Sequence, residues 1–76
     1  MKVTLESTTK IIEVRGTQVR IWEGVTENGI PCYAAIALIA HHKDDDHRNE
    51  EFVRDLAEQK EPSERAIQAF DPRFVI

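Results

Sequence analysis

The segment His41-His42-Lys43-Asp44-Asp45-Asp46-His47 gathers three imidazoles and three carboxylates into seven residues. Such side chains bind divalent cations and move protons. A metal site needs at least three convergent ligands, and His41 or His42 with Asp44 and His47 would offer the mixed nitrogen and oxygen set that suits zinc or manganese. Successive side chains on a strand point to opposite faces, so His41 and His42 can serve together only if the strand has already ended. A calcium loop is excluded: counted from Asp44, Arg48 falls on a ligand position and Asn49 where the sharp turn wants glycine. The alternative is structural. Unpaired N–H groups at a helix start favour acidic neighbours, and Asp46 is the expected N-cap of a helix that follows. That structural reading is preferred, with metal binding through His41, His42, Asp44 and His47 as the alternative.

No other group of residues suggests catalysis. Cys32 is expected inside a strand facing the core, where a thiol without a cationic neighbour is inert. Ser7, Thr8 and Thr9 have no base beside them, and no glycine-rich loop precedes a helix to hold phosphate. Glu6, Glu13 and Glu23 could be imagined as acid/base carboxylates, but Glu13 and Glu23 have cross-strand partners in the expected register, so solvated pairs are preferred. The expectation is therefore no enzyme, no catalytic residue and no cofactor.

The elements that position these residues follow from size and pattern. A chain of 76 residues with one cysteine buries only about 60% of its unfolded surface and cannot close a disulfide within itself. Chains of this size commonly gain stability from a metal or from oligomerisation. No apolar run approaches the roughly 20 residues of a membrane span, and MKVTLESTTK lacks the apolar core of a signal peptide. A cytoplasmic location is expected. Residues 1–40 balance four basic side chains (Lys2, Lys10, Arg15, Arg20) against four acidic ones (Glu6, Glu13, Glu23, Glu27), so the net charge of −4 comes from the second half. An acidic chain without a basic stripe gains little from phosphate neutralisation, so no nucleic-acid partner is expected.

The first half alternates as strands do and the second half has helical spacing, predicting one α+β domain over residues 1–76. Asn28-Gly29 predicts a two-residue type I′ hairpin, which sets Val25 against Cys32, Trp22 against Ala35 and Ile21 against Ile36. Gly16-Thr17 suits a type II′ loop, with Val14 against Val19, Ile12 against Ile21, Glu13 against Arg20 and Lys10 against Glu23. A loop at Arg15-Gly16, which sets Ile11 against Arg20, is the less favoured register. The result is a three- to four-stranded antiparallel meander. A helix over about 47–60, with Phe52, Val53, Leu56 and Ala57 on one side, is expected to cover the face of Ile12, Val14, Val19 and Ile21. A short second helix capped by Ser63 and a β-like terminal tail complete the chain.

The opposite face would carry Ile11, Trp22, Tyr33, Ala35, Ala37 and Ile39. Tryptophan is enriched among residues that dominate interface energy, and a flat apolar face suits an isologous contact. Either the chain's own terminal tail or another subunit is expected to cover it, and the subunit is preferred: a homo-oligomer, a dimer first, or a protein partner.

The wording of MKVTLESTTKIIEV, RIWEG and TENGIP resembles the N-terminal part of small phage or prophage proteins of uncharacterised function, over roughly the first forty residues. The resemblance implies a bacterial host cytoplasm and an accessory role, with no reaction attached.

Overall fold

In the computed structural model, residues 1–70 are described. They form three strands, β1 (Val3–Val14), β2 (Thr17–Thr26) and β3 (Pro31–Ile36), then a 3-10 helix (Lys43–Arg48), α1 (Asn49–Ala57) and α2 (Glu64–Ala69). The strands make one antiparallel sheet in the order β1-β2-β3, so the chain is α+β. The expected β-like tail lies outside the described residues. Among these residues no helix is long and apolar enough to cross a membrane.

Both hairpins pair differently from the expected register. The first turns at Arg15-Gly16, with φ of 51° and 83°. Two successive positive φ values are the mark of a type I′ turn, whose twist matches the flanking strands. Val14 therefore faces Thr17, Ile12 faces Val19 and Ile11 faces Arg20, the register that charge pairing had disfavoured. The second loop is three residues long. Thr26 N donates to Ile30 O (2.9 Å), Gly29 N to Thr26 O (2.9 Å) and Ile30 N to Thr26 Oγ1 (3.1 Å), while Gly29 but not Asn28 has positive φ. This is a type I turn closed by a glycine in the left-handed region. Its extra residue moves β3 by one position, so Ile21 faces Ala35, Trp22 faces Ala34 and Glu23 faces Tyr33. A slip of one residue exchanges the faces. Tyr33 and Ala35 thus share the face of Ile21, while Cys32 and Ile36 join Trp22.

A bulge in β1 absorbs two further residues. Ser7 pairs with Trp22 and Ile11 with Arg20, so Thr8, Thr9 and Lys10 together oppose Ile21 alone. Displaced backbone groups must find partners or pay for their burial. The wholly buried Thr8 supplies them: its hydroxyl donates to Ile21 O (2.7 Å) and accepts from Lys10 N (3.2 Å), and its carbonyl accepts from Arg20 Nη1 (2.9 Å). On the outer side Thr9 N donates to Lys60 O (2.9 Å) and Lys60 N to Ser7 O (3.1 Å), a short parallel bridge along the β1 edge.

That bridge explains the path of the second half. Past β3 the chain crosses to the Trp22 face, where Phe52, Asp55 and Leu56 of α1 stand across a cleft from Ser7, Arg20 and Trp22. It then rounds the β1 edge at residues 58–60 and reaches the opposite face. There Ser63 N donates to Glu23 Oε2 (2.9 Å), and Arg65, Gln68 and Ala69 of α2 lie beside Pro31 and Tyr33. The longer helix was expected on the Ile21 face, but it lies over Trp22, and the short α2 takes the Ile21 face. Ser63 caps α2 as expected, its Oγ accepting from Ala66 N (3.1 Å). The packed centre is small: Val19, Ile21 and Ala66 are the buried apolar residues among those described.

Candidate functional site

Between α1 and the sheet lies a largely apolar cleft of about 280 Å³. Trp22 and Ile36 line it from the sheet, Phe52 and Leu56 from α1, and Ala37, Leu38 and Ile39 from the connection that leaves β3. Ser7, Arg20 and Asp55 add polar atoms at its walls. Its volume falls just under the roughly 300 Å³ floor of small-molecule sites, a size that suits inserted side chains. The connection is its most accessible part: Leu38 is 83% exposed and Ile39 45%.

Of the six expected interface residues, Trp22, Ala37 and Ile39 meet at this cleft. Ile11, 49% exposed, lies on the same sheet face beyond the bulge. Tyr33 and Ala35 are on the other face because β3 is shifted by one residue. Ile36, Leu38, Phe52 and Leu56 lie outside the expected interface set: the expected register puts Ile36 beside Ile21, and the expected helix carries Phe52 and Leu56 over that same face. For Leu38 the signal was present. The uninterrupted apolar run from Cys32 to Ala40 outlasts the strand, which ends at Ile36, so its last members have no ladder to bury them.

The histidine-rich segment is largely occupied with itself. His42, not Asp46, caps the 3-10 helix, its Nδ1 accepting from Asp44 N (3.1 Å). α1 starts after Arg48 without a side-chain cap, and Asp46 contributes its carbonyl to Asn49 N–H. His41 Nδ1 contacts His42 O (2.8 Å), its Nε2 contacts Asn49 Oδ1 (3.1 Å), and its ring meets Phe52 edge-on at 4.9 Å. The carbonyl of His42, then the amide oxygen of Asn49, hold the His41 pKa above its usual value, because both favour a ring that donates at each nitrogen. Arg48 grips Glu51 with two bonds of 2.9 and 3.0 Å, and each holds the other charged. Among the described residues no three of His, Cys, Asp or Glu converge as a metal-binding group.

Glu23 is a carboxylate held on two sides. It accepts from Ser63 N–H and pairs with Lys60 Nζ at 3.0 Å. The Ser63 bond first, and Lys60 with it, outweigh burial and hold its pKa below the ordinary value. The expected Lys10 to Glu23 and Glu13 to Arg20 pairs give way to Glu6 opposite Glu23 and Glu13 opposite Gln18. Two like charges directly opposite repel, and Lys60 answers them: both Glu23 and Glu6 raise its pKa, Glu23 foremost. No protein-family model matches the chain, and searches of curated proteins and of solved structures return no match.

Proposed function

We propose that this chain is a self-associating interaction protein without chemistry of its own, and that the apolar surface around Leu38 is part of the contact. The observation that carries this reading is an imbalance of burial. Among the described residues three apolar side chains are buried, whereas ten large ones, among them Ile11, Ile30, Leu38, Ile39 and Val53, are at least 38% exposed. Isolated exposed apolar side chains are ordinary, but contiguous ones rimmed by polar groups mark interaction surfaces, and Leu38 and Ile39 adjoin the Trp22 cleft. A phage or prophage gene in a bacterial cytoplasm, which the resemblance of the first forty residues implies, fits a small accessory role and belongs to this proposal.

Leu38→Glu is the direct test. At 83% exposure Leu38 contributes little to the fold, whereas Trp22 is half-buried under α1 and its replacement would confuse folding with assembly. Sedimentation equilibrium of the untagged protein should give a mass above that of one chain, and Leu38→Glu should lower it while leaving the circular dichroism spectrum unchanged. A wild-type chain that stays monomeric across the concentration range would refute the proposal.

A further inference from the structure

The two edges of the sheet are treated differently. β1 has three devices that discourage pairing with another strand: a bulge, charged side chains at Glu6, Lys10 and Glu13, and the bridge to Lys60 along its outer side. These are the usual protections of an edge strand. β3 has a single one, Pro31 at its start. No charged residue occurs from Ile30 to Ala40, β3 pairs without a register shift, and among the described residues no backbone hydrogen bond engages its outer side.

The pairing tells which backbone groups those are. Thr26 and Ile30 are bonded across the hairpin, and bonded and non-bonded pairs alternate along an antiparallel ladder. Gly24 with Cys32, Trp22 with Ala34 and Arg20 with Ile36 are then the bonded pairs. Tyr33 and Ala35 turn their N–H and C=O groups away from β2, and Pro31, the residue whose missing N–H would do no harm there, points the same way.

We infer that the β3 edge is the dimer contact: β3 of a second copy adds antiparallel across a two-fold axis, with Tyr33 opposite Ala35 of the other copy and six strands in one sheet. This rests on the self-association proposed above and names its geometry. A second copy fits better than a foreign strand for two reasons. Outward groups must meet outward groups, and a two-fold about Ala34 brings each Tyr33 to an Ala35 in both directions, a large ring beside a small side chain. The same operation brings the exposed Leu38 and Ile39, two and three residues past the strand end, toward the start of the other β3, so one contact consumes both the open edge and the apolar connection. Isologous pairing of this kind also closes, leaving the two protected β1 edges outermost.

Amide hydrogen exchange at Tyr33 and Ala35, followed by NMR at several protein concentrations, tests it. In the dimer both amides should exchange on the order of tenfold or more slowly than in diluted monomer, and the protection should fall together with the measured mass. Ala35→Pro removes an outward donor without touching the ladder to β2, and should give a folded monomer. A dimer whose Tyr33 and Ala35 amides stay unprotected would overturn the edge contact and leave self-association standing. Monomer at every concentration would overturn both. Protection that persists after the measured mass has fallen to one chain would mean that the edge is covered without a second copy, which also overturns it. Ala35→Pro assembling as the wild type does would have the same effect, and if that variant fails to fold, the wild-type exchange data decide.

Discussion

Glu23 fastens the second half of the chain to the sheet through the Ser63 N–H and Lys60 Nζ. Its side chain is 11% exposed, against 44% for Lys60, so the bonds are worth more at the glutamate end. Glu23→Ala should cost about 2 kcal/mol, the loss expected when a charged acceptor leaves a donor behind, and Lys60→Ala less than about 1 kcal/mol. Urea unfolding of both variants checks the order. The pH dependence follows from the lowered pKa of Glu23. Its contribution is present above the unfolded value near 4.3 and is lost as pH falls through the lower folded value. The acid side of the stability curve should therefore flatten in Glu23→Ala. His41 has the opposite sign: its raised pKa stabilises below about pH 6.5, and that contribution disappears as pH rises through the folded value. An NMR titration should place His41 above about 6.5, and Asn49→Ala should bring it down.

At the scale of the element, one glycine is fixed by contact and one turn by conformation. A Cβ at Gly24 would collide with the Thr4 carbonyl on β1, so Gly24→Ala must push the strands apart, at a cost of about 3 kcal/mol. Arg15 occupies a left-handed φ of 51°, which asparagine accepts more readily than arginine. Gly16 follows at 83° with no neighbour within reach of an added Cβ, so Gly16→Ala should cost about 1 kcal/mol through backbone conformation alone, read by urea unfolding. The same features show which parts of the fold could be read from the sequence. Three strands, two hairpins, the Ser63 cap and the α+β class were legible because alternation and capping are local. The registers were not: the first hairpin turns on two successive positive φ values at Arg15-Gly16, and the second loop and the bulge depend on a side chain's choice of backbone partner. Thr26 lengthens the second loop by accepting from Ile30 N, and Thr8 holds the bulge open by bonding Ile21 O and Lys10 N. Gly24 was the available warning, since glycine inside a strand marks a close backbone approach. Misplacing β3 by one residue then exchanged Tyr33 and Ala35 for Cys32 and Ile36 on the Trp22 face, so half of the candidate surface was legible and half was not.

For the whole molecule, thin burial and assembly are one question. The 76 residues together expose 6239 Å², where size scaling gives roughly 4,700 Å² for a folded monomer of this mass. A standard interface removes about 800 Å² from each partner, so a two-fold contact is within what this chain can supply. Dimerisation would then be part of its stability rather than an addition to it, because a partner that binds only the folded chain shifts unfolding by mass action. Each tenfold rise in concentration adds about 1.4 kcal/mol per dimer. Spread over the unfolding entropy of two chains, at about 2.1 cal/mol/K per residue, this should raise Tm by about 4 °C. Calorimetry over two decades of concentration would show that slope for the wild type and none for Leu38→Glu or Ala35→Pro. If the wild-type Tm is independent of concentration, Val19, Ile21 and Ala66 with the Glu23 and Thr8 networks hold the monomer without a second copy, and the β3 edge is not a dimer contact.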